Sequence, residues 1–222
     1  MKLPHIFYDA DGTIFDSLPA HILFLHDMSK KFNMKLDLPN PNDHEASKRI
    51  VSIPMSSFIT KAGFPGDLIH NILEIYKTEF NLNTRYDVNM FPGMATVIRK
   101  LYNKTFKQGI VSANYLENIE KALAKERLNH VFRLTVDKDR LDKFYQGLKS
   151  NYLEFYYKNL KLNPKDVVFI GDTKGDLKSA ETAGVNFIGV SYGWDFSPGE
   201  NIGHPLANSP EHLEEIVMSM VQ

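Results

Sequence analysis

Five short apolar runs recur along the chain: His5 to Asp9, Gly109 to Ser112, Phe132 to Val136, Val167 to Gly171 and Phe187 to Ser191. Each is mostly apolar rather than strictly alternating and is bounded by Gly, Asp, Asn or Ser. That pattern predicts parallel strands covered on both faces. Helical periodicity separates the later runs, at Leu116 to Arg127, roughly Asn151 to Leu160 and Leu177 to Ala183. Alternation of strand and helix implies right-handed crossovers and an open α/β sheet with a parallel core. In such sheets the reactive site lies beyond the carboxyl ends of the strands.

Between Asp16 and Phe91 the rhythm changes to helix with little strand character. Leu18, Ile22, Leu25, Met28 and Phe32 share one helical face, with Ser17 as the expected N-cap and Asp16 shaping the turn before it. The polar, Pro-rich stretch LDLPNPNDHE predicts a loop, and Met55 to Ala62 and Asp67 to Phe80 predict two further helices. The expected organisation is a core built from residues 1–16 and 91–222, and a helical insert over residues 17–90 beside the carboxyl edge of the sheet. No internal repeat or low-complexity segment interrupts either part.

Composition changes this picture little. A hydrophobic content of 43%, a charged content of 24% and a net charge of -1 suit an ordinary globular protein and point to no nucleic-acid or membrane-surface partner. No apolar run approaches the ~20 residues of a membrane span, and Met1-Lys2-Leu3 leads into a strand rather than a signal sequence, so a cytoplasmic protein is expected. The chain has no cysteine, which excludes disulfides and thiolate metal sites.

Candidate chemistry sits at three predicted strand ends: Asp9-Ala10-Asp11-Gly12-Thr13, Ser112-Ala113-Asn114, and Gly171-Asp172-Thr173-Lys174-Gly175-Asp176. Parallel strands bring all three to one edge, where Asp9, Asp11, Asp172 and Asp176 gather up to four negative charges. Such a cluster is costly unless a cation neutralises it. Hard oxygen donors without imidazole select Mg²⁺, and Mg²⁺ points to phosphate chemistry. The eight histidines are scattered, and no pair of them suggests a metal site.

These motifs, DADGT, Ser112 with Asn114, and GDTKGD, resemble motifs I, II and IV of the haloacid dehalogenase superfamily in its phosphatase branch, over nearly the whole chain. The helical insert is similar to the cap of the phosphoglycolate phosphatase and β-phosphoglucomutase group. The resemblance implies a Rossmann-like core with an inserted α-helical cap domain, and a Mg²⁺-dependent phosphatase acting on a small phosphorylated metabolite. It implies Asp9 as the nucleophile that forms an aspartyl-phosphate, and Asp11 as general acid and then general base. Asp9, Asp172 and the Asp11 main-chain carbonyl would hold Mg²⁺, with Asp176 as an outer or water-mediated partner.

For the phosphoryl group, the resemblance implies an N–H from Gly12, a hydroxyl from Ser112 and a backbone N–H from Asn114. The superfamily also supplies a lysine before the helix that precedes the GD strand. Lys149, where Ser150 and Asn151 open a helix, fills that place, with Lys143 as the alternative; the proline that usually follows the lysine is missing. Lys48 and Arg49, in a polar stretch before the second cap helix, are candidates to pair with an anionic substrate group. Tyr192 and Trp194 read as packing or rim residues. A phosphosugar mutase or phosphoryl transferase is the enzymatic alternative, and a non-catalytic phosphometabolite-binding protein the alternative of another class. A monomer or a homodimer suits either.

Overall fold

The computed structural model describes residues 3–80, 84–132 and 134–221. The chain divides into two compact units, one formed by Met1–Asp16 and Met90–Gln222, the other by Ser17–Asn89. In chain order the first half contains β1 (His5–Tyr8), β2 (Phe15–Asp16), α1 (Leu18–Lys31), α2 (His44–Ile50), α3 (Met55–Lys61), α4 (Gly66–Ile75), β3 (Asn89–Met90) and α5 (Met94–Asn103). There follow β4 (Lys107–Val111), α6 (Leu116–Lys125), β5 (Leu134–Val136), α7 (Lys138–Tyr145) and α8 (Lys149–Asn159). The chain ends with β6 (Val167–Gly171), α9 (Lys174–Ala183), β7 (Asn186–Val190), β8 (Leu206–Ala207) and α10 (Pro210–Ser219).

The first unit is built on a six-stranded sheet of order β5-β4-β1-β6-β7-β8. Every pairing in it is parallel. Both faces of β1 are covered. Phe7 points to one side, packing edge-on against Tyr152 and Tyr156 of α8, while Tyr8 points to the other, against Phe132. This period of two explains why the strand reads as a continuous apolar run instead of an alternation. From β1 the chain winds outward through β4 to β5, then crosses back to place β6 on the other side of β1. That reversal makes β1 the switch point of the sheet, where the crevice at the carboxyl edge opens.

The third predicted strand is shorter than expected: Phe132 precedes it, and Arg133 lies outside the described residues. Four helices (α2, α5, α7 and α10) and the strands β2, β3 and β8 add to the predicted set.

The second unit is helical and has its own aromatic core. Leu18, Ile22, Leu25 and Met28 of α1 are buried along one face. Phe24 packs edge-on against Tyr76, Phe80 and Tyr86. The predicted helix over 67–80 is α4 followed by a π-helical turn, Tyr76–Phe80. Ser17 stands at the N-cap of α1, but its side chain makes no capping bond, because its backbone is already helical there (φ -89°, ψ -12°). Among the described residues, no helix is long and apolar enough to cross a membrane.

Candidate active site

Register brings the three polar clusters together. Tyr8 is level with Ile110 of β4 and with Ile170 of β6. Asp9, Ser112 and Asp172 therefore leave their strands within one residue of the same height, a rise of ~3.3 Å. The Asp9 N–H still donates to the Ile170 carbonyl at 2.8 Å, which fixes the turn just beyond the last strand residue.

Asp9, Asp172 and Asp176 offer carboxylate oxygens that lie within 4.8 Å of one another, and all three residues are buried. Lys149, at the start of α8, places its Nζ 2.8 Å from Asp9 Oδ2 and 2.7 Å from Asp176 Oδ1. One ammonium thus pairs with two of the three carboxylates, and Asp172 has no cationic partner in the cluster among the described residues. Burial is the largest influence on Asp9 and pushes its carboxyl up to about 7; Lys149 acts against that shift, and Asp176 and Asp11 add to it. Asp172 is raised well above the usual carboxylate range by burial first and then by Asp176 and Asp9. Burial disfavours the Lys149 ammonium, yet the two carboxylates outweigh it and hold the lysine above its ordinary value. Three buried all-oxygen donors, raised toward the protonated form by one another and by burial, fit a hard divalent cation of the Mg²⁺ type that would favour their ionised form.

Asp172 is held from two sides. Its Oδ1 accepts the Thr13 hydroxyl at 2.8 Å, and its Oδ2 accepts the Trp194 N–H at 2.9 Å. Gly12 packs over the same carboxylate. A Cβ there would stand 2.1 Å from Asp172 Oδ2, and the residue adopts φ +76°, where side chains are strained. Asp176 belongs to a capping box opening α9. Thr173 Oγ1 donates to Asp176 Oδ2 at 2.6 Å, while the Asp176 N–H donates back to Thr173 Oγ1 at 3.1 Å. This cap leaves Asp176 Oδ1 for Lys149, so the spacing in GDTKGD serves both the helix start and the ion pair.

Asp11 turns toward the other side of β1. Its Oδ2 accepts a hydrogen bond from Asn114 Nδ2 at 2.8 Å. Ser112, buried at the end of β4, accepts the Asn114 N–H on its Oγ at 3.1 Å, which leaves the hydroxyl hydrogen to donate elsewhere. Two expected phosphoryl donors are therefore engaged within the protein. The Gly12 N–H donates to the Phe15 carbonyl at 2.8 Å, closing the turn after β1, and the Asn114 N–H goes to Ser112. Gly12 contributes the turn and the close approach to Asp172, and Asn114 contributes its side chain to Asp11.

Comparison with known proteins adds the family. Residues 6–190 match the model of the haloacid dehalogenase-like hydrolases. The chain belongs to that family. The chain is 24% identical over 203 residues to a phosphoglycolate phosphatase from Pasteurella multocida, covering 86% of each chain. It is 22% identical over 217 residues to one from Synechococcus elongatus, covering 98% of this chain and 95% of the relative. A solved haloacid dehalogenase-like hydrolase from Streptococcus pneumoniae superposes with a TM-score of 0.78 at 18% identity, covering 100% of this chain and 99% of that one. This chain is accordingly a phosphatase of the haloacid dehalogenase-like family, and the two relatives named above are phosphoglycolate phosphatases.

Within this haloacid dehalogenase-like chain, Lys149 stands beside Asp9, whereas Lys143 is exposed on α7 with its Nζ 5.0 Å from the centre of the Phe144 ring. Lys48 and Arg49 belong to the second unit and lie in the last turn of α2. The expected polar stretch is thus a helix: Asp43 caps it by accepting the Ala46 N–H at 3.0 Å. Basic residues in its last turn also complement the carboxyl end of the helix dipole. The sequence assigns no role to Thr13 and reads Trp194 as a packing or rim residue, whereas both hold Asp172. Thr13 had a signal, its place in DADGT; Trp194 acts through its main-chain N–H, to which no side-chain pattern points.

Proposed function

We propose that this phosphatase hydrolyses a small phosphomonoester through an aspartyl-phosphate on Asp9, with Mg²⁺ as its cofactor. The observation that carries the reading is the buried group of Asp9, Asp172 and Asp176 facing the single ammonium of Lys149. Asp9, Asp172 and Asp176 would hold the ion, with the Asp11 main-chain carbonyl as the fourth donor that the family resemblance implies. When bound, Mg²⁺ neutralises the approach of a phosphate dianion to a carboxylate and the charge on its oxygens.

The chain's own groups divide the work in two steps. In the first, an Asp9 carboxylate oxygen attacks phosphorus, the ester P–O bond breaks, and protonated Asp11 gives its proton to the leaving alkoxide. In the second, water attacks phosphorus, Asp11 takes a proton from it, and the bond to Asp9 breaks to restore the carboxylate. Lys149 opposes the negative charge that gathers around Asp9, and the Ser112 hydroxyl donates to the phosphoryl oxygens. Because the curated relatives are named phosphoglycolate phosphatases, phosphoglycolate is the first ester proposed as a substrate.

A phosphate-release screen over phosphoglycolate, sugar phosphates, nucleotides and pyrophosphate, with Mg²⁺ or with chelator, tests the reading. Release is expected from a small monoester with Mg²⁺ only. Asp9→Asn should lower turnover by at least ~10³-fold while the fold is kept, as removing a nucleophile does. Undiminished phosphate release from that variant would sink the covalent mechanism.

A further inference from the structure

The Asn114 side chain has a fixed polarity. Its Oδ1 accepts the Tyr115 N–H at 2.7 Å and the Asn118 Nδ2 at 2.7 Å. A backbone N–H can only donate, so the amide atom facing Tyr115 must be oxygen, and the NH₂ group must face Asp11. The main chain is held as well: the Asn114 carbonyl accepts the Lys138 N–H at 2.9 Å, and its N–H donates to Ser112. Every polar atom of Asn114 is therefore engaged, and its Nδ2 meets Asp11 Oδ2 at 2.8 Å from a rigid base. α6 supplies that base, since Asn118 lies in its first turn and Tyr115 is its N-cap residue, without a side-chain cap of its own.

We propose that Asn114 is a positioning residue for Asp11, that it orients the carboxyl group, and that Asn118 holds Asn114 for this task. The NH₂ group donates to a lone pair of Oδ2 and so fixes the direction in which the Asp11 carboxyl points. With Oδ2 held by Asn114, the orientation of the whole carboxyl group toward leaving group and water is set from α6. The assignment goes beyond a phosphate-binding role for Asn114, and it rests on the proposed acid–base role of Asp11.

Leaving-group dependence tests it, because a group acting through the general acid matters most when the leaving alkoxide needs a proton. kcat/KM is measured for wild type, Asn114→Ala, Asn118→Ala and Asp11→Asn on phosphomonoesters from alkyl to dinitrophenyl leaving groups, with inhibition by inorganic phosphate alongside. Misplacing a catalytic group by about 1 Å costs ~10²-fold, so Asn114→Ala should lose about 10- to 100-fold on alkyl esters and less than about 3-fold on dinitrophenyl phosphate. Inhibition by phosphate should be unchanged, and adding Asn114→Ala to Asp11→Asn should cost less than about 2-fold more, as expected for residues acting as a unit. A uniform loss over all esters, weakened phosphate inhibition, or full additivity with Asp11→Asn overturns the proposal. Should Asn114→Ala not fold, Asn118→Ala decides alone: selective loss on alkyl esters supports the role, and a uniform loss or none overturns it. If Asp11→Asn itself shows no leaving-group selectivity, the acid–base reading falls and this inference falls with it.

Discussion

At the scale of single residues, the site depends on what the side chains around Asp172 leave no room for. Gly193 has no positive φ, yet a Cβ there would come within 2.2 Å of the Asp172 Cβ and 2.3 Å of the Gly12 carbonyl oxygen. Neither atom is the end of a flexible side chain, so the strand of backbone carrying the Trp194 N–H must shift. Outer partners of metal ligands change affinity by ~10- to 100-fold when disturbed. Gly193→Ala should therefore weaken Mg²⁺ binding by at least ~10-fold and destabilise the protein by about 1–3 kcal/mol through overpacking. Gly175→Ala is the matched control, because its Cβ would meet nothing closer than Thr173 Oγ1 at 3.5 Å. Calorimetric Mg²⁺ titration with denaturant unfolding of both variants checks the contrast. Equal Mg²⁺ affinity in both would remove Gly193 from the support of Asp172.

Elements carry the next layer of the site, and they explain why much of it was legible in the sequence. β1, β4 and β6 are covered on both faces, so their apolar runs stand out, and parallel pairing turns the residue after each run into a neighbour of the others. Asp9, Ser112 and Asp172 follow from that geometry alone. What remained hidden rests on weaker signals. α7 is eight residues long and buries only Leu141, and α2 is a seven-residue helix that opens at the end of a stretch rich in Pro, Asn and Asp. The polarity of Asn114 depends on main-chain donors that no residue pattern records. The capping box of α9 lies between these cases: its Thr and Asp are visible at the right spacing, but the bond from Asp176 to Lys149 emerges only when α8 docks beside α9. Thr173→Ala removes one half of the box and should cost about 1 kcal/mol, within the ~0.5–2 range for lost N-caps, while Thr173→Ser should stay near wild type. Urea unfolding of the pair checks this, and equal stability of the two variants would deny the cap its role.

For the whole molecule, the buried carboxylates make stability depend on pH and metal together. Asp9 moves from an ordinary value of 3.8 to about 7 in the folded protein, and Asp172 moves in the same direction. Between those values the folded state keeps a proton that the unfolded chain has released. Unfolding free energy of the metal-free protein should then fall as pH rises from about 4 to about 7 on account of Asp9, with Asp172 adding to the fall. Asp9→Asn removes the share of that slope due to Asp9. Mg²⁺ binds the ionised carboxylates, so protons compete with it, and its stabilisation, RT ln(1 + [Mg²⁺]/Kd), grows as pH rises. Differential scanning calorimetry at pH 5 and pH 8, with chelator or with excess Mg²⁺, separates the two effects. The rise in Tm on adding Mg²⁺ should be clearly larger at pH 8 and should shrink in Asp9→Asn. An equal rise at both pH values, or none at either, would mean that Asp9, Asp172 and Asp176 do not hold the metal.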